Sequence, residues 1–136
     1  MTAVAVIVTR ALRLIGVADA GEAPAAMDMQ TGIDALNALC ARVEADGIAL
    51  GWADVAQPSD PMPTRPEADE PLAYMLAVRL ADEFRVPASA SVVATAQIGL
   101  GKLHADTMRN DGARLDYDLP TPASANRSLA AFLGGA

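Results

Sequence analysis

The chain has 136 residues, 52% of them apolar, and a formal net charge of −7. That length supplies one domain with a core of its own, and that charge repels nucleic acid and anionic membranes, which argues against sequence-specific DNA binding. Cys40 is the only cysteine, so no intrachain disulfide forms and secretion is not indicated.

Thirty residues are alanine, and β-branched alternation is absent apart from the ambiguous run Val4–Thr9. Such a composition predicts close-packed helices and an all-α fold. The first helix is expected from about Thr2 to Ile15, with Val4, Ile7, Val8, Ala11, Leu12 and Ile15 buried and Arg10 and Arg13 wet. Gly16 is its natural stop. The two arginines follow the apolar run rather than precede it, which argues against a signal peptide. No apolar run is long enough to span a membrane. A second helix is expected from about Pro24 to Asp46, on the repeat Met29, Ile33, Leu36, Cys40 and Val43, with Gly47 terminating it. The loop between the two is short, so they should lie antiparallel.

Ile48–Asp69 carries Pro58, Pro61, Pro63 and Pro66 and is predicted to be an extended connector rather than helix or central strand. A structureless segment of that length usually has a function or a partner. Trp52 near its start reads first as a staple pinning the connector to the helices, and second as an intersubunit anchor.

The central element is Glu70–Phe84, with Asp69 as its cap and Pro71 in its first turn. Leu72, Met75, Leu76 and Leu80 form one apolar stripe, and Ala73, Ala77 and Ala81 a second. Two apolar sides mean packing on two sides. Arg79 reads as a snorkelling side chain or a partner of Glu83 one turn on, and alternatively as a salt bridge to a neighbouring subunit. After Val86 and Pro87, Ser89 or Ser91 should cap a fourth helix running to about Arg109, with Val93, Ala96, Leu100, Leu103 and Thr107 on one face. Gly99 and Gly101 weaken it and mark candidate close packing.

The organisation expected is therefore a four-helix bundle-like core over 1–109 and an extended C-terminal arm over 110–136. Within the arm, Leu129, Phe132 and Leu133 lie on one side of a short terminal helix. That helix is too short to stand alone in water. It docks either on its own chain or on another subunit, and the sequence leaves both open.

Catalytic constellations are thin. His104 is the only histidine, and Cys40 sits at a core position with no base expected beside it. Gly99-Leu100-Gly101 lies within a helix and lacks the pattern of a phosphate loop. The pairs Glu44/Asp46 and Asp82/Glu83 read as solvated surface rather than as acid–base pairs. No catalytic residue, metal or cofactor is expected. The candidate interface residues are Trp52, Arg79, Tyr117, Leu129, Phe132 and Leu133.

Three stretches in order carry a resemblance: TRALRLIGVADAGEAP (Thr9–Pro24), GIDALNALCARVEADG (Gly32–Gly47) and PLAYMLAVRLADEFRVPASASVVATAQIGLGKL (Pro71–Leu103). Together they resemble the head–tail adaptor, or head-completion, proteins of tailed bacteriophages and gene transfer agents. The likeness covers roughly Thr2 to Met108. One departure is the short, proline-rich Ile48–Asp69, where many relatives carry a longer, strand-rich insertion. The resemblance implies a subunit of a homo-oligomeric ring, commonly a dodecamer, docked on the portal protein in the neck of the virion and assembled in the host cytoplasm. Such a ring extends the DNA channel and presents a platform to a downstream tail or stopper protein, and its C-terminal arms reach the portal or a neighbour. DNA passes through without specific binding, and no membrane is involved. Two other classes remain as alternatives: a virion-associated peptidoglycan-cleaving enzyme, and a free helical regulatory module that binds one protein partner.

Overall fold

A computed structural model describes residues 2–118 of the chain, and the side chains of residues 2–110. Four α-helices account for most of it: α1 (Val4–Leu14), α2 (Ala26–Ala45), α3 (Asp69–Glu83) and α4 (Ala90–Asp118). A single 3-10 turn, Pro66–Ala68, precedes α3. Among the described residues there is no strand, only one isolated bridge between Ala3 and Pro61. The fold is all-α, as the composition predicts. The chain divides into two units, Met1–Ala105 and Asp106–Ala136.

In the first unit, α1, α2 and α3 pack on one another pairwise, most extensively α1 on α3. Both expected stripes of α3 are buried: Leu72, Leu76 and Leu80 on one side, and Ala73, Ala77 and Ala81 on the other. The alanines leave room for close approach. At the α1–α2 contact the small residue is Gly32, where an added Cβ would run into the buried Val8 side chain. The first part of α4 adds Val92, Ala96, Gly99 and Leu103 to the interior. An added Cβ on Gly99 would lie 3.0 Å from Pro71 Cα, so Gly99 is the close-packing glycine. Gly101 has open space instead.

Of the expected face of α4, Ala96, Leu103 and Thr107 are buried, but Val92 rather than Val93 is buried and Leu100 is exposed. The start signal held: Ser89 Oγ accepts the Val92 N–H at 3.2 Å, the third-residue cap. The end did not. The helix continues to Asp118 rather than stopping near Arg109, so 110–118 is not an extended arm. The physical reason lies in the residues themselves. Ala113, Arg114 and Leu115 favour helix, Gly112 costs only about 1 kcal/mol, and the first proline is Pro120. Within the second unit Arg109 pairs with Asp106.

α1, α2 and α3 end in the same double hydrogen bond. Gly16 and Gly47 take left-handed φ of 77° and 96°. Their N–H groups bond the Arg13 and Glu44 carbonyls, and the next residues, Val17 and Ile48, bond the Leu12 and Val43 carbonyls. This is the Schellman closure, and its following apolar residue folds back on the core. α3 closes identically through Arg85 and Val86, but Arg85 adopts φ 55° without being glycine. That conformation strains an L-residue. Arg85→Gly should therefore raise stability by about 0.5–1 kcal/mol after the entropy of the unfolded glycine is deducted. A urea midpoint that falls on substitution would show that Arg85 makes a compensating contact.

The connector is held by its own chain. Ile48, Leu50, Val55 and Met62 are buried anchors. Its carbonyls finish α1, whose start at Ala3 has no capping side chain. The Val4 and Ala5 N–H groups bond Asp60 O and Pro58 O, each at 2.9 Å, and the Met62 N–H bonds Thr2 O at 2.8 Å. The Val4 and Ala5 N–H groups are donors that a helix start leaves unpaired. The Asp60 carboxylate accepts the Gln57 and Ala56 N–H groups at 2.9 and 3.0 Å. Those bonds, Gln57 first, hold its pKa below the usual carboxylate value. Two expectations are corrected here. The connector does contain a helical turn, Pro66–Ala68, and Asp69 is not a cap. Asp69 already lies inside α3, and its Oδ2 accepts the Thr2 hydroxyl at 2.6 Å.

Candidate interaction surface

Trp52 is half-buried and packs on the core. Its backbone N–H donates to Glu44 Oε1 at 2.6 Å, while its indole N–H is buried without a partner. Packing on the core fits a staple that pins the connector. Arg79 is exposed on α3 and makes no ion pair with Glu83. Tyr117 lies near the C-terminal end of α4, and its side chain is outside the described residues. Leu129, Phe132 and Leu133 are outside them too. No hydrogen bond or ion pair joins Trp52 to Arg79.

The carboxylate pairs have separate partners. Glu44 holds the Trp52 backbone, and Asp46 pairs with Arg42 at 3.2 Å across one turn of α2. Asp82 and Glu83 are exposed. His104 is exposed on α4. Among the described residues no three His, Cys, Asp or Glu side chains gather as a metal site would need. Among the described residues no helix is long and apolar enough to cross a membrane.

Burial, and next the neighbouring Glu44 charge, push the Cys40 thiol up to about 12. At neutral pH almost none of it is thiolate, the reactive form. Native protein should therefore resist alkylation at mildly alkaline pH, and urea-unfolded protein should label freely. Equal rates in the two states would mean that the α2 core is open to solvent.

Several surface features were not anticipated from the sequence. Val6 is 57% exposed on α1 and Met27 is 83% exposed at the start of α2. Ile98, Leu100 and Met108 are exposed on α4. Val6 had a signal: it falls off the helical repeat that unites Val4, Ile7, Val8 and Ala11. Asn37 had none. Its amide donates to Val55 O at 2.8 Å and accepts the Val55 N–H at 3.0 Å, so one side chain serves the connector backbone as a strand partner would.

The outward side of α1 carries Val6, Thr9, Arg10 and Arg13, and α1 contains no acidic residue. Arg10 lies over the Tyr74 ring of α3, 5.6 Å from its centroid. The outward side of α2 carries Met27, Gln30, Asp34 and Ala38, all exposed, with Asp34 Oδ1 accepting from Gln30 at 3.0 Å. The first cation of α2 is Arg42, already paired with Asp46. The molecule thus shows one basic and one acidic helix face, each with an exposed apolar side chain.

The comparison with curated proteins found none that matches the chain. A profile of a protein family described as P22 tail accessory factor matches residues 2–131.

Proposed function

We propose a head–tail connector role from one premise: the chain belongs to the P22 tail accessory factor family. That family is phage-associated and structural, and its members are virion components. The match over 2–131 carries the proposal, because it spans helices and connector alike. In this role the chain is a subunit of a ring beneath the portal protein, in the neck of a phage or gene-transfer-agent particle. It extends the DNA channel and offers its far side to a tail or stopper protein. It performs no catalytic step and binds no cofactor. Trp52, Arg79 and the C-terminal residues Tyr117, Leu129, Phe132 and Leu133 remain the interface residues proposed from sequence.

Charge supports the duct. Phosphate affinity comes chiefly from Lys and Arg through counterion release. Ten such residues stand against seventeen carboxylates here, and a ring multiplies the excess. The purified protein should show no measurable duplex binding at physiological salt, by fluorescence anisotropy, yet co-sediment with portal protein. Tight, salt-sensitive duplex binding would contradict the duct. The role itself is tested in the particle. Quantitative mass spectrometry should find several copies per neck, and loss of the gene should leave filled heads without tails. Normal tailed particles lacking the chain would overturn the reading.

A further inference from the structure

We propose that the basic outward face of α1 in one copy docks on the acidic outward face of α2 in the next. The inference rests on the ring reading and says which surfaces close it. Copies with a net charge of −7 repel one another. A stable contact between them must therefore pair unlike faces. The face of α1 offers two cations and no acid, and that of α2 offers Asp34 and no cation before Arg42. In the ring the contact is head-to-tail, each copy using its α1 face on one neighbour and its α2 face on the other.

The spacing matches. The proposed pairing sets α1 antiparallel to the next copy's α2. Setting Arg10 of one copy against Asp34 of the next then sets Val6 against Ala38. It also sets Arg13 against Thr31, because residues four and three apart line up along both helices. Met27 then extends past the C-terminal end of the neighbour's α1, where it can cover apolar surface. Arg10 is held ready for this. The Tyr74 ring lies 5.6 Å from its guanidinium carbon, a cation–π contact that restrains where the side chain can go. Among the described residues Asp34 is engaged only by Gln30, Arg13 donates to the Glu22 carbonyl at 3.4 Å, and no carboxylate pairs with Arg10 or Arg13.

The test is a charge swap in assembled particles. Arg10→Glu and Asp34→Arg are each made alone, checked for native helicity by circular dichroism, and supplied in place of the wild-type chain. Each alone should lower the number of copies per neck roughly tenfold or more, since like charges meet at every contact. Supplied together in equal amounts they should restore incorporation, because each then meets the opposite charge on both sides. Independently of folding stability, Val6→Cys and Ala38→Cys proteins mixed in one particle should form disulfide-linked pairs under mild oxidation, and neither should do so alone. The buried Cys40 stays silent. Full incorporation of either charge variant alone overturns the docking but leaves the ring. So does failure of the mixture to restore it, or cross-linking of the Val6→Cys protein with itself. Wild-type protein present as one copy per particle overturns the ring and the docking together.

Discussion

Leu76→Ala should be the most damaging single truncation in the core, at about 2–5 kcal/mol. Leu76 is fully buried in α3, the helix that touches both α1 and α2. Its neighbours along α3, Leu72 and Leu80, are as deeply buried, and Ala73 and Ala77 hold the adjoining backbone close. Small residues on rigid helices leave little that can collapse into the gap. The cost therefore includes a cavity term as well as the lost transfer energy. Leu100→Ala is the matched control. It removes the same atoms from an exposed position on α4 and should stay within about 0.5 kcal/mol. Urea denaturation followed at 222 nm measures both. Equal midpoints for the two variants would mean that α3 is not the hub of the packing.

Replacing Asn37 by leucine should cost about 2–4 kcal/mol, through backbone that Asn37 does not belong to. Two bonds tie its amide to Val55, whose side chain is buried. Leucine has nearly the same size, so packing changes little. What changes is that a Val55 N–H and a Val55 carbonyl both lose their partner, at about 1–3 kcal/mol each, less whatever water regains. Asn37→Asp separates the two bonds. It keeps an acceptor for the Val55 N–H but turns a second acceptor towards the Val55 carbonyl. It should lie between wild type and Asn37→Leu at neutral pH. Hydrogen exchange at the Val55 amide reports the same event locally, and a Val55 amide equally protected in the leucine variant would show that something else holds the connector.

The proposed function depends on surfaces more than on the core, and surfaces were the less legible part. Trp52 illustrates the difference. A lone tryptophan in a proline-rich stretch signals an anchor, but not whether it anchors the chain to itself or to a neighbour. The Glu44 bond to its backbone and its packing on the core fit the first role within one copy. Arg79 stands exposed with no intrahelical partner, a position that a helical repeat predicts and whose use it does not. Asn37 was invisible because an asparagine on the polar side of a helix looks like any solvated residue. Its partner lies 18 residues away on a segment without periodicity.

The sequence by itself determined what is local. The 3.6-residue repeat, the glycines at 16 and 47, the serine before α4 and the abundance of alanine specify four helices, their approximate ends and which stripes are apolar. The physical reason is that helix hydrogen bonds, caps and stops join residues no more than a few positions apart. Only the tertiary structure decided what is distant in the chain: that Pro58 and Asp60 complete the first turn of α1, that Asp69 receives Thr2 instead of capping α3, and that Gly99 rather than Gly101 meets Pro71. It also decided the detail of the α4 face: Ala96, Leu103 and Thr107 are buried as their spacing predicts, but Val92 and Gly99 stand in for Val93 and Leu100. A weakly amphipathic helix has no strong preference of its own for one side, so the shape of the surface it meets makes the choice.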